Sequence, residues 1–236
     1  MMAAACWGAL GERDRLAGRY RQARRRLRRA LAVLRKADAN ESALAMGLWN
    51  SLGIVCKGEE RLSAGAHAYR MALRLARRNL RANDSRFASL YHNLAGLEHA
   101  RGAYESAESL ARHGLSIREL ALGDDHPDVG RDLAALAAIL DGQGRHDEAE
   151  TMHRRALEIF GRGGRSEQRE AAYALANLAA CRHLQGRRDE AVEAARKAVA
   201  MQHRLLGARH PDVKLSEANL ATVERAQFQI QPGGIP

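Results

Sequence analysis

The side chains that could do chemistry are ten histidines, three cysteines and recurring acidic pairs. The histidines form no HExxH pattern, and Cys6, Cys56 and Cys181 lack the CxxC spacing of a zinc site. The segment GRGGR at 161–165 is glycine-rich like a phosphate loop, but no Lys-Ser or Lys-Thr follows it. No Ser–His–acid or Cys–His arrangement can be assembled from the spacing. We therefore expect no catalytic site, no cofactor and no metal site, and we predict that the protein is not an enzyme.

Composition favours helices over strands. Hydrophobic residues make up 46% of the chain, but aromatics only 4%, and Ala and Leu dominate. No segment reaches the roughly 18–20 apolar residues needed to span a bilayer. Scattered cysteines fit a reducing compartment, and an excess of Arg over Lys, 34 to 4, is typical of a GC-rich genome. These features predict a cytoplasmic, bacterial protein.

An internal repeat of 42 residues organises the chain. One column of the repeat is always leucine: Leu10, Leu52, Leu94, Leu136, Leu178 and Leu220. A second column holds only small residues, which let two helices approach closely: Ala23, Gly65, Ala107, Ala149 and Ala191. In the second copy the pattern predicts helices at 43–57 and 60–79. The motif His-Pro-Asp at 126–128 and 210–212 is typical of a helix start, because proline fits the first helical turn.

Trp49, Leu52 and Gly53, followed by Gly102, Tyr104, Ala107 and Gly114 in the next copy, resemble the tetratricopeptide repeat (TPR) consensus. The 42-residue length, the turn at 123–129 and the segment GRHDEAETMHRRALEI at 144–159 are similar to the kinesin-light-chain subclass. The chain departs from the family where a consensus aromatic is replaced by Asp14, Cys56, Glu98, Leu140 and Arg182.

The resemblance implies an all-α fold, a right-handed α-solenoid of stacked antiparallel helix pairs. We predict a single TPR solenoid over residues 1–229, with a disordered tail over 230–236. The predicted subdivisions are five repeats and a capping helix: 1–42, 43–84, 85–126, 127–168, 169–210 and 211–229.

The resemblance also implies that the first helix of each repeat lines an inner groove that binds a peptide or helix of a partner protein. An asparagine just before the repeated leucine can fasten a ligand backbone, since its amide both donates and accepts. The candidate groove residues are Asn50, Ser51, Lys57, Ser89, His92, Asn93, Arg131, Tyr173, Asn177, His183 and Asn219. This polar, mildly basic set suits an acidic peptide, although solvated helix positions would have the same composition.

The leading hypothesis is therefore an adaptor or scaffold for protein interaction, and the alternative is a regulatory sensor domain within a larger signalling protein. A third, less favoured function involves the basic end of the chain. Residues 1–42 carry a net charge of +7, and seven arginines lie between Arg19 and Arg29 around the exposed side of a helix. They indicate a solubilising end repeat, an acidic partner surface or salt-sensitive nucleic-acid binding.

Overall fold

The computed structural model describes residues 1–81 and 83–228, and all regular secondary structure in these ranges is α-helical. The helices are α1 (Met2–Leu16), α2 (Tyr20–Lys36), α3 (Ala43–Gly58), α4 (Leu62–Asn79), α5 (Ser85–Ala100), α6 (Tyr104–Leu122), α7 (Pro127–Gly142), α8 (His146–Gly161), α9 (Arg165–Leu184), α10 (Arg188–Leu206) and α11 (Pro211–Phe228). The predicted all-α class is confirmed. None of these helices has the length and apolar character needed to cross a membrane. The predicted tail at 230–236 lies outside the described residues.

The chain divides into two compact units, Met1–Leu122 with α1–α6 and Gly123–Pro236 with α7–α11. Inside each unit, a helix packs mainly on the helices that precede and follow it in sequence, as in a repeat protein. The first helices of the repeats are α1, α3 and α5 in the first unit and α7, α9 and α11 in the second. A single solenoid over residues 1–229 stays a prediction.

Side-chain caps define where several first helices begin. Ser42 Oγ accepts a hydrogen bond from the Ala45 amide at 3.3 Å, and Asp84 Oδ1 accepts one from the Arg86 amide at 2.9 Å. His126 Nδ1 accepts from the Asp128 amide at 3.1 Å, and His210 repeats this contact at 3.2 Å. The two His-Pro-Asp motifs therefore serve as helix starts.

The turns between paired helices require a left-handed backbone residue. Four of them use glycine, with φ between 70° and 77°: Gly18, Gly102, Gly144 and Gly186. The second repeat has Glu60 there, with φ 57°. A residue with a Cβ is strained in this conformation, by about 1–2 kcal/mol.

Replacing Glu60 with glycine is expected to raise the free energy of unfolding by about 0.5–1 kcal/mol, because relief of the strain exceeds the entropy cost of glycine. Urea denaturation followed by circular dichroism measures the change. Glu60→Ala is the matched control, since it removes the carboxylate and keeps the Cβ. An equal gain in Glu60→Ala would show that charge, and not backbone conformation, limits this turn.

Charged residues replace the consensus aromatic in two buried positions of the first unit. The Asp14 side chain is 1% exposed, and its carboxylate contacts Arg19 Nη2 and Arg26 Nη1, each at 2.8 Å. Glu98 is also buried and pairs with Arg101 Nη1 at 3.2 Å. In this unit, ion pairs take the place of aromatic packing near the ends of α1 and α5.

The second unit has a larger charged cluster around Glu150 of α8. The Glu150 carboxylate accepts hydrogen bonds from Arg154 at 2.8 Å, from Arg182 of α9 at 3.2 Å, and from Arg187 at the start of α10. The departure from the consensus at Arg182 therefore supplies a contact that links α9 to α8.

Candidate functional site

Two of the predicted groove residues meet between α3 and α5. Asn93 Nδ2 donates a hydrogen bond to Asn50 Oδ1 at 3.0 Å, and both side chains are half-buried. The contact fixes which way each amide points. The Asn93 carbonyl and the Asn50 amino group keep hydrogen-bonding capacity beyond this contact.

Lys57 lies two turns along α3 from Asn50 and extends toward α5. A Cβ built on Gly96 of α5 would be 3.0 Å from Lys57 Nζ, so the ammonium group lies against that helix. Although much of the side chain is exposed, burial around the ammonium group lowers the pKa of Lys57. Among the described residues no carboxylate offsets this burial. Lys57 is thus a cation for which residues 1–81 and 83–228 supply no partner anion.

The remaining predicted residues of this unit are Ser51, Ser89 and His92. Ser89 Oγ accepts a hydrogen bond from Arg118 Nη1 at 3.2 Å. Hydrogen bonds with Arg15 and Ser51 lower the pKa of Glu12, against burial, which raises it. His92 is half-buried on α5. We call the set Asn50, Ser51, Lys57, Ser89, His92 and Asn93 the α3–α5 polar face.

In the second unit, predicted groove residues contact acidic side chains of the neighbouring first helices. Arg131 of α7 pairs with Asp128 and lies 3.7 Å from Glu170 of α9. Tyr173 of α9 donates a hydrogen bond to Asp212 Oδ2 of α11 at 2.5 Å, and burial together with this carboxylate raises the pKa of Tyr173. Arg131 and Tyr173 therefore connect successive first helices.

Two other predicted residues line a cavity between α9, α10 and α11. His183 and Asn219 lie at this cavity, which has a volume of about 280 Å³, and most of the other lining residues are apolar. His183 Nδ1 is buried and has no hydrogen-bond partner among the described residues, whereas Asn219 is exposed. We call this the α9–α11 cavity. Asn177 is exposed on α9, and the cavity lining does not include it.

Sequence reasoning did not identify the acidic partners Glu12, Glu170 and Asp212. Tyr173 and Asp212 are 39 residues apart, so no 42-residue column aligns them. The repeated His-Pro-Asp motif was the available signal, because it puts a half-buried carboxylate in the first turn of α7 and α11.

The arginine-rich stretch from Arg19 to Arg29 is less available to bind a partner than its sequence predicts. Arg19 and Arg26 bind Asp14, Arg24 Nε lies 2.6 Å from Glu59, and the Arg29 guanidinium stacks 4.3 Å from the centre of the Trp7 ring. Four of the seven arginines thus have intramolecular partners. The prediction that all seven cover a solvent-exposed surface is wrong, because Arg24 and Arg26 are half-buried against acidic residues.

A model of a known protein family matches the repeated part of the sequence. The tetratricopeptide repeat family model matches residues 86–162 and 170–232, more than half of the chain. No curated protein matches the sequence. Family members are generally non-enzymatic scaffolds for protein interaction.

Solved structures share the fold at low sequence identity. A structure of nearly identical TPR-like repeats of a kinesin light chain from Podosopora anserina has a TM-score of 0.70 at 20% identity, covering 86% of this chain and 96% of that one. BtubC (BKLC) from P. vanneervenii has a TM-score of 0.68 at 18% identity, covering 98% and 83%. The apo form of RapI has a TM-score of 0.66 at 15% identity, covering 86% and 55%. The chain has an all-α helical repeat fold of the solenoid type and belongs to the tetratricopeptide repeat family, and it shares this fold with kinesin-light-chain repeats.

Proposed function

We propose that the protein is an interaction scaffold that binds an acidic peptide segment of a partner protein on the α3–α5 polar face. The observation that supports this most directly is the hydrogen bond between Asn93 and Asn50, which orients two amides side by side on successive first helices. Oriented amides can bind the backbone of an extended chain, because such a chain presents both N–H and C=O groups.

Lys57 gives the proposal its charge preference. A partly desolvated ammonium group without an intramolecular carboxylate gains most from a ligand that brings one. Lys57 and Asn50 are seven residues apart on α3 and face the same side. A segment that hydrogen-bonds to the amide pair can therefore place a carboxylate near Lys57.

In the second unit we propose that the α9–α11 cavity accepts an apolar side chain of a partner. Apolar pockets with a few polar groups at their edge are typical ligand sites. Asn219 and His183 would provide the polar contacts, and the unpartnered Nδ1 of His183 supports this assignment.

Selection from a phage-displayed random peptide library against the full chain tests the function. We expect the selected peptides to be enriched in Asp and Glu. Fluorescence anisotropy should show that Asn50→Ala combined with Asn93→Ala weakens the binding of a selected peptide at least about tenfold, since two hydrogen-bonding groups are lost. Lys57→Met should weaken the binding of acidic peptides by about tenfold and should change the binding of neutral peptides little.

Matched controls are Asn40→Ala and Lys36→Met, which change the same residue types at exposed positions outside the polar face. Both should bind the selected peptides like the wild type. The proposal is contradicted if the asparagine double variant keeps wild-type affinity while it remains folded by circular dichroism. A second double variant, Asn93→Ala with Asn177→Ala, shows whether the exposed Asn177 adds to binding.

The cytoplasmic location and bacterial origin are part of this proposal and rest on the cysteine pattern and arginine content of the sequence. The sensor-domain alternative stays a hypothesis. Nucleic-acid binding through the first repeat is disfavoured, because most of its clustered arginines already bind residues of the same chain.

A further inference from the structure

Four side chains with metal-binding groups converge where α7, α8 and α9 meet. Asp141 Oδ1 lies 2.9 Å from His146 Nδ1, and ligand atoms of Asp141, His146 and Cys181 all lie within 4.8 Å of one another. His153 Nε2 lies 3.4 Å from the other oxygen of Asp141. One carboxylate is therefore surrounded by two imidazoles and a thiol.

His153 is the least expected member of this cluster. Its side chain is completely buried, and neither ring nitrogen has a hydrogen-bond partner with acceptable geometry in the described parts of the chain. Its Nε2 lies 3.4 Å from Asp141 Oδ2, which is within the distance of an ion pair but too long for a well-formed hydrogen bond. Burying an imidazole without well-formed hydrogen bonds is unfavourable, so a further partner for these nitrogens would stabilise the arrangement.

The other repeats show that folding does not require polar residues here. At the position of Cys181 four other copies hold Val55, Leu97, Ile139 and Val223, and the first copy holds Arg13, which is not a metal ligand. At the position of His153 they hold Leu27, Tyr69, Ala111 and Ala195. The positions of Asp141, His146, His153 and Cys181 can be compared in every set of three successive helices of this kind. Each of the other sets has at most one His, Cys, Asp or Glu at these four positions. The α7–α8–α9 junction has four.

We propose that Asp141, His146, His153 and Cys181 form a site for a divalent cation of the zinc class that joins α7, α8 and α9. Two imidazoles, a thiolate and a carboxylate are ligands that Zn²⁺ accepts, and four of them complete a tetrahedral shell. Ligand atoms around a tetrahedral Zn²⁺ are about 3.4–3.8 Å apart. The atoms of Asp141, His146 and Cys181, which lie within 4.8 Å of one another, would move by about an ångström or less, and His153 would join them from its 3.4 Å contact with Asp141.

A site closed by four protein ligands is structural and not catalytic, since no position is left for water or substrate. The thiol now donates to the His146 carbonyl oxygen at 3.3 Å, and metal binding would release this proton to solvent and replace the contact with a metal–thiolate bond. The ion would connect the end of α7, the start and the middle of α8, and the last turn of α9. This assignment replaces our sequence-based expectation of no metal site and is independent of peptide binding.

Titration of the untagged full chain with Co²⁺ tests the proposal, because a polyhistidine tag would bind the metal itself. We expect one equivalent to produce a thiolate-to-cobalt charge-transfer band and the visible d–d bands of tetrahedral coordination, and one equivalent of Zn²⁺ to displace them. Competition with a chromophoric chelator then measures Zn²⁺ affinity. Zinc should also raise the melting temperature of the chain.

The variants use residues from the sister repeats, so they are expected to fold. Cys181→Val should abolish the charge-transfer band, and Cys181→Val and His153→Leu should each weaken Zn²⁺ binding at least about 100-fold. Cys56→Val, at a buried cysteine outside the cluster, should change neither. The proposal is overturned if wild-type protein gives no tetrahedral spectrum, or if Cys181→Val binds Zn²⁺ as well as the wild type. In either case the cluster is only a polar contact between helices.

Discussion

Replacing Gly53 with valine should lower the free energy of unfolding by about 3 kcal/mol, because overpacking in a close-packed core forces neighbours out of position. A Cβ at Gly53 would lie 2.4 Å from Tyr69 Cε1, and Tyr69 is 1% exposed. The tyrosine ring cannot move outward without breaking its own packing against α3 and α4. Urea denaturation of the full chain followed by circular dichroism measures the loss.

Gly47 on the same helix is the control. Nothing lies within 4 Å of a Cβ built there, so Gly47→Val should change stability by less than about 0.5 kcal/mol. Shortening the facing ring in the double variant Gly53→Ala with Tyr69→Leu should recover part of the stability lost by Gly53→Ala alone. Equal effects at Gly47 and Gly53 would show that the close approach of Gly53 and Tyr69 does not limit this core.

Glu150→Gln is the second substitution with a large expected effect, a loss of about 3 kcal/mol in the free energy of unfolding. The Glu150 side chain is 10% exposed, and the variant would leave Arg182, which is 16% exposed, with only the more distant Glu190 carboxylate at 3.9 Å. Arg154 and Arg187 would lose the same anion. Glu193→Gln is the control, because its exposed pair with Lys197 contributes only about 0.3–0.5 kcal/mol.

The effect should depend on pH. Burial raises the pKa of Glu150, but hydrogen bonds from Arg187, Arg182 and Arg154 outweigh it, so that the pKa lies below its ordinary value of 4.5. A lowered pKa in the folded state adds stability above the unfolded pKa, and this stability is lost as pH falls through the folded value. The difference between wild type and Glu150→Gln should therefore be full at pH 7 and shrink below pH 4.5. A constant difference down to pH 3 would contradict this assignment.

The repeat predicted most of the helix arrangement, because its periodicity and caps are local signals. In the second copy the predicted helices at 43–57 and 60–79 correspond to Ala43–Gly58 and Leu62–Asn79. The second of these begins later than predicted because Glu60 takes the left-handed conformation that glycine has in the other turns. A pattern of hydrophobic residues does not report such a conformation.

Contacts at the candidate sites were much less predictable. The meeting of Asn93 with Asn50 depends on side-chain rotamers on two helices that belong to different repeats. The cluster around Asp141 could have been found by comparing equivalent positions of the 42-residue repeats and noting which residues differ in type from the others. Cys181 and His153 are such departures, and spacing rules for known metal motifs miss them because the ligands come from three helices.

The equivalence of helix junctions has a consequence for protein engineering. Each junction is built from the same four positions of the repeat. A set of side chains that binds a metal ion at one junction can therefore be introduced at another by substitution. The junction of α9, α10 and α11 already has His183 at the first position, with Arg188, Ala195 and Val223 at the others. Three exchanges there would copy the imidazole and thiol groups of the neighbouring repeat onto a scaffold with the same backbone.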